Sequence, residues 1–137
     1  MTVRIVRLGT PRAADEGTRI GTVRRPPRGV PRSEFARGDW YDVWFPTLSP
    51  TPALVKQALA TQHDPTPEGE RAWNAFTRAY RKEMAAPEAA HAIALLAALS
   101  HCADFSVGCY CEDESRCHRA VLRELLVAAG ARVRPAA

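Results

Sequence analysis

Phe105-Ser106-Val107-Gly108-Cys109-Tyr110-Cys111-Glu112-Asp113-Glu114-Ser115-Arg116-Cys117-His118-Arg119 leads directly into Ala120-Val121-Leu122-Arg123-Glu124-Leu125-Leu126-Val127-Ala128-Ala129. The apolar opening of the first run predicts a short buried strand. The second run predicts a helix closed by Gly130. Three thiols, an imidazole and two guanidiniums therefore fall where a strand hands over to a helix. In open α/β sheets that junction lies at the carboxyl end of the strands, where ligands usually bind.

Upstream, Val3 to Leu8 alternates apolar and basic residues, with Val3, Ile5 and Val6 inward and Arg4 and Arg7 outward, a strand pattern. Gly9 to Gly17 reads as a loop and Thr18 to Val23 as a second strand. The segment Arg24-Arg25-Pro26-Pro27-Arg28-Gly29-Val30-Pro31-Arg32 holds three prolines, which remove donors and fix backbone angles, so it reads as an exposed arm. Ser33 to Gly38 reads as a helical turn. Tyr41-Asp42-Val43-Trp44-Phe45 is β-branched and aromatic and stops at Pro46, which predicts a central strand. Pro52 opens a helix through Ala60 with Thr51 as its cap. In the helix from Glu68 to Ala85, Trp73, Phe76, Tyr80 and Met84 share one face, a core stripe. Pro87 starts a helix through Cys102 that is apolar nearly all round, as expected of deep burial, with Cys102 a buried small hydrophobe.

Strand, arm, strand, three helices, strand and helix predict an α/β fold: a small, mostly parallel sheet flanked by helices in one domain over 1–137. Within it, 1–37 is the basic strand and Pro/Arg-rich arm, 38–130 the α/β body and 131–137 a frayed tail. The chain's 137 residues are 46% hydrophobic and 25% charged, which excludes disorder of the whole. No apolar stretch reaches the ~20 residues that span a bilayer, and the first residues lack a signal peptide's apolar core. The expectation is a cytoplasmic protein with no membrane partner, whose four cysteines are thiols rather than disulfides. The net charge of +4 is uneven: residues 1–37 carry nine arginines against three acids, while the remainder is slightly acidic.

Thiols at a helix N-terminus beside arginine or histidine become thiolates more readily. Cys117 or Cys109 is thus a candidate nucleophile, His118 a candidate base, and Arg116 or Arg119 a clamp for an anion. Asp42, if its strand adjoins the 105–110 strand, would orient His118 or receive an arginine. The run Glu112-Asp113-Glu114 opposes an anion there. Cys111 followed by Arg116 fails the phosphatase spacing, and the loop lacks that pattern's glycines, which excludes that chemistry. Zinc or iron held by Cys109, Cys111, Cys117 and His118 is a further alternative. Its spacing is poor, because neighbouring Cys117 and His118 point differently on a helix, so no cofactor is expected. A structural reading also stands, in which Cys109 and Cys117 fill space between strand and helix while His118 and Arg119 make local hydrogen bonds.

Taken in order, Tyr41-Asp42-Val43-Trp44-Phe45-Pro46, the aromatic stripe Trp73, Phe76, Tyr80 and Met84, and Phe105 to Arg119 resemble the domain of unknown function 488 family, especially its short YeaO-like branch. Cys109, Cys117, His118 and Arg119 fall on the family's signature positions. The resemblance implies a compact α/β domain and no particular activity. Many relatives carry an arginine shortly after the aspartate, where this chain has Val43 and Trp44. YeaO-like members can lack the cysteines and keep the histidine, which makes His118 the steadier functional residue.

The sequence thus points to an enzyme or ligand-binding domain for an anionic, nucleotide-like small molecule, with a pocket lined by Asp42, Cys109, Cys117, His118 and Arg119. The alternative is a nucleic-acid-associated module that uses Arg24, Arg25, Arg28 and Arg32. The oligomeric state is not legible.

Overall fold

Residues 105–109 form the strand around which everything else is arranged. In the computed structural model, which describes residues 1–136, this strand is buried along its whole length. In chain order the strands are β1 (Val3–Arg7), β2 (Thr18–Gly21), β3 (Val43–Trp44) and β4 (Phe105–Cys109). The helices are α1 (Pro52–Ala60), α2 (Pro67–Met84), α3 (Pro87–Leu99) and α4 (His118–Ala128). The sheet order is β1-β4-β2-β3, with every pairing parallel. β4 meets β1 with Val3 opposite Phe105 and Arg7 opposite Cys109, and meets β2 with Thr18 opposite Phe105 and Gly21 opposite Gly108. The expected α/β architecture with a parallel sheet is therefore present.

Alternation along each strand separates the two faces. Val3, Ile5, Ile20, Phe105 and Val107 join one apolar cluster with Ala58 of α1, Phe76, Tyr80 and Met84 of α2, Ile93 and Leu96 of α3, and Val121, Leu122 and Leu126 of α4. The aromatic stripe of α2 is core, as its periodicity indicates; Tyr80 donates its hydroxyl to Leu48 O at 2.7 Å. The opposite face is covered by loops. Gly21 lets the Tyr41 ring lie directly on β2, since a Cβ there would sit 2.4 Å from the ring. Arg19 is fully buried and forks onto Glu16 (Nε–Oε2 2.7 Å, Nη2–Oε1 2.9 Å), while its Nη1 donates to Thr10 O and Asp39 O. Ser106 of β4 donates to the same carboxylate at 2.7 Å, which ties the 9–17 loop to the central strand.

Several expectations are corrected. The 41–45 run contributes only Val43–Trp44, and as an exposed edge strand rather than a central one. β2 lies between it and β4, because β2 supplies the pairing partner that β4 needs on that side. Thr51 occupies the cap position of α1 but caps nothing; its hydroxyl donates to Glu83 at 2.8 Å. Helix α3 is buried only along Ala89, Ile93, Leu96 and Ala97, with Leu95 and Leu99 exposed, since nothing covers its second face among the described residues. Cys102 lies past its end and is exposed. The 131–137 tail is ordered where it matters: Val3 donates to Arg132 O and Arg134 donates to Val3 O, so 132–134 runs parallel along the free edge of β1. Ala137, the end of the expected frayed tail, lies outside the described residues. No helix among the described residues is long and apolar enough to cross a membrane.

Candidate functional site

The parallel register brings the ends of β4 and β2 level, and the chain turns twice before α4 begins. Asp113 accepts from Ser115 N and stabilises a single 3-10 turn at Glu114–Arg116. Glu114 then receives a two-pronged bond from Arg123. The acidic run is thus partly built into the loop, and Glu112 alone of the three is exposed. Cys117 follows with extended backbone (φ −121°, ψ 150°) and is the residue before the first helical turn, not part of it. Its side chain therefore converges with that of His118 instead of diverging around a helix.

His118 is buried. Its Nε2 lies 2.8 Å from Thr22 O. A carbonyl only accepts, so Nε2 carries the hydrogen and Nδ1 is left facing Cys117 Sγ at 3.8 Å. The Tyr80 ring meets the imidazole edge-on at 5.5 Å. Thr22 adds its hydroxyl, which donates to Gly108 O at 3.0 Å and lies 3.3 Å from Nε2. Cys109 Sγ and Cys111 Sγ are 3.8 Å apart. Arg119 is also buried; it donates from Nε to Cys117 Sγ (3.4 Å) and from Nη2 to Cys111 O (2.6 Å).

These contacts divide the charge unequally. For Cys117, burial favours the neutral thiol. Hydrogen bonds from Cys109 and Cys111 and the charge of His118 outweigh that, and hold it well below the ordinary thiol range. Burial likewise disfavours the imidazolium of His118, but its interactions with the sulfurs of Cys109 and Cys117 overcome it and push the group up to about 10. Cys109 is driven well above the thiol range by its hydrogen bonds to Cys111 and Cys117 and by burial. A bond from Cys109 lowers Cys111, yet its bond to Cys117 and its burial prevail and push it up to about 12. The shifts thus run down at Cys117 and up at Cys109, Cys111 and His118, and the four groups titrate as a unit.

A cleft of about 640 Å³ opens above this cluster. His118, Cys109 and Cys111 form its floor. Val23, Pro50, Val55 and Leu59 give it apolar walls, and Arg24, Arg25, Lys56 and Glu112 stand around its rim. Cys117 does not line it; its sulfur lies one layer below. Arg24 is fixed by bonds to Ser49 O (3.0 Å) and Pro50 O (3.1 Å from Nε), so this part of the expected free arm is anchored.

Of the residues singled out in the sequence, Cys109, Cys117, His118 and Arg119 come together, and Arg119 reaches the cluster without reaching the cleft. Arg116 holds the loop to the helices through Thr61 O, Gly69 O and Glu70. Asp42 is not brought to His118. It is level with Arg19, three residues before Thr22 along the neighbouring strand, roughly 10 Å towards the amino end. There it accepts a fork from Arg12 (2.7 and 3.1 Å) and the Arg19 N–H (2.8 Å). Burial works against its charge, but these donors prevail and hold its carboxyl below the usual range. Sequence reading missed Thr22, a residue just past the end of β2 with no local signal, and Lys56 and Leu59, one helical turn apart on α1. It placed Arg24 and Arg25 on an arm and not on the cleft.

An open parallel sheet flanked by helices defines an α/β protein, and the thiol–imidazole cluster lies at the strand ends, where such sheets commonly take ligands. Over residues 3–130 the chain matches the family model DUF488-N3a, described as the active DUF488-N3 subclade. The chain belongs to the DUF488 family. No curated protein and no solved structure matches it.

Proposed function

We propose that the cleft over Cys109, Cys111 and His118 takes an organic anion of about mononucleotide size and that the cluster beneath acts on it or senses it. The observation that carries this reading is the coincidence of the thiol–imidazole floor with the 640 Å³ cleft. Such a volume lies within the range of small-molecule sites, which are mostly apolar with a few convergent polar groups. The anionic group is met by Arg25 and Lys56, with Arg24 held beside them by Ser49 O and Pro50 O and Glu112 on the same rim, and the body lies on Val23, Pro50, Val55 and Leu59. This moves the clamp from Arg116 and Arg119, both engaged within the fold, to residues on β2's continuation and α1. The family description's word "active" supports reading the floor as a reacting surface rather than a vestige.

The test is calorimetric titration with nucleoside monophosphates and with dicarboxylates of similar size. Arg25→Ala with Lys56→Ala should weaken binding about tenfold, since exposed charge contacts contribute ~0.2–1 kcal/mol each. Val55→Trp, from a half-exposed helix position, should fill the cleft and abolish binding while leaving the circular dichroism spectrum unchanged. Equal affinity in Val55→Trp and the unaltered protein would refute the cleft as the site.

A further inference from the structure

We infer that Cys109, Cys117 and His118 form a binding site for a thiophilic divalent cation, zinc in the first instance, with a coordination position left open towards the cleft. One ligand atom from each residue lies within 4.8 Å of the others, and all three residues are buried. In tetrahedral zinc sites, Zn–S bonds of about 2.3 Å and Zn–N bonds of about 2.0 Å set neighbouring ligand atoms roughly 3.5–3.8 Å apart. The pair Cys117 Sγ and His118 Nδ1, at 3.8 Å, already has that separation. The rest of the set, within 4.8 Å, needs to close by no more than about 1.3 Å, a side-chain adjustment.

The adjacency of Cys117 and His118 would argue against a shared metal if both stood on a helix. Cys117 does not: its extended backbone turns the thiol towards the imidazole before the helix begins. The second shell is also in place. Metal-bound histidines donate their other ring N–H to a carboxylate, carbonyl or water, which fixes tautomer and orientation. Here Nε2 donates to Thr22 O at 2.8 Å, and Nδ1 is the nitrogen presented to the thiols. Arg119 Nε, 3.4 Å from Cys117 Sγ, offsets thiolate charge from the side away from the cleft.

Cys109 and His118 line the cleft and Cys117 does not, so a cation held by all three has its free face towards the cavity. Two cysteines, one histidine and an open position form a ligand set associated with zinc that binds a water or a substrate. Cys111, 3.8 Å from Cys109, also lines the cleft but falls outside the three-residue set. The inference stands apart from the anion reading: metal content is measured without any cleft ligand.

Untagged full-length protein, purified under reducing conditions and exposed to zinc, should carry about one equivalent by elemental analysis. Cobalt substitution should give visible d–d bands of a tetrahedral site, with charge-transfer absorption from two thiolates. Cys111→Ser and Cys102→Ser should retain the metal and the bands. His118→Ala and Cys117→Ser should lose affinity at least 100-fold. Because both residues are buried and the variants could unfold, the unaltered protein supplies the second readout: added zinc should raise its Tm, and a chelator should reverse the rise. Less than about 0.3 equivalent of zinc, with no cobalt bands and no zinc-dependent Tm, would overturn the inference.

Discussion

Arg19→Met tests the least visible support of the sheet. In the native fold the guanidinium is wholly out of solvent and satisfies four acceptors: both oxygens of Glu16, Thr10 O and Asp39 O. Methionine has similar length and restores none of these bonds. It leaves a carboxylate that is 2% exposed with only Ser106 Oγ and Ala13 N as donors, and two carbonyls without this partner. Removing one member of a buried ion pair costs about 3–5 kcal/mol, chiefly from the uncompensated charge that remains. That is about a fifth or more of the ~5–15 kcal/mol by which a typical domain is stable. For a chain of this length it corresponds to a fall in Tm of about 10–17 °C.

The pH dependence separates this mechanism from simple misfit. Burial opposes the charge of Glu16, but Arg19 and Ser106 prevail and hold its carboxyl below the ordinary value of 4.5. In the unaltered protein its contribution is therefore complete above that value and is lost as pH falls through the lower folded one. In Arg19→Met the same carboxyl is buried without a cation, so its folded pKa rises above the unfolded one. The variant then regains stability as pH falls and the group protonates, and the gap to the unaltered protein is smaller at pH 5 than at pH 7. Adding Glu16→Gln should recover part of the loss at pH 7. Urea denaturation at the two pH values measures all of this. A loss below about 1 kcal/mol at pH 7, or the same loss at both pH values, would refute the reasoning.

Three further outcomes follow from the same coordinates. Gly17→Ala places a Cβ 1.9 Å from Asp104 O at a φ of +76°, so it should cost at least about 3 kcal/mol, read as a fall in the urea midpoint. Alkylation followed by mass spectrometry should label exposed Cys102 first and half-buried Cys111 next; Cys109, on the cleft floor, should react more slowly and Cys117 only on unfolding, and labelling of Cys117 as fast as Cys102 would contradict its burial. Arg28→Ala with Arg32→Ala, at exposed arm positions, should change stability by no more than about 0.5 kcal/mol and leave cleft affinity unaltered; a duplex-DNA salt slope that drops by about 2 in this variant would instead favour the nucleic-acid reading.

The parts of the fold legible in the sequence are those written in local pattern. The stripe of Trp73, Phe76, Tyr80 and Met84 marks the buried face of α2, and the run from Phe105 to Ala129 marks β4 and α4. What escaped depends on partners far along the chain. Nothing in Tyr41 to Phe45 says whether β4 or β2 will be its neighbour, and with β2 chosen, Asp42 goes to Arg12. Leu95 and Leu99 look buried because composition cannot say which side of a helix is covered. Within the site, Cys109, Cys117, His118 and Arg119 were legible because strand, loop and helix follow one another directly. Thr22 and Lys56 come from about 60–100 residues away, and only the parallel register and the seating of α1 bring them there.

The placement of β4 also governs the order in which the molecule can form. β1 and β2 do not touch each other; each is paired to a strand that leaves the ribosome only after the helices between them have been made. Until residues 105–109 arrive, Val3 and Ile5 have no ladder to join and Ile20 has only the two-residue β3, so the nascent chain must carry β1 unpaired. Assembly that waits on such distant pairing is slow and leaves apolar strands open to aggregation. For this chain, pauses in translation before β4 should matter more to yield than any change on the helices' outer faces.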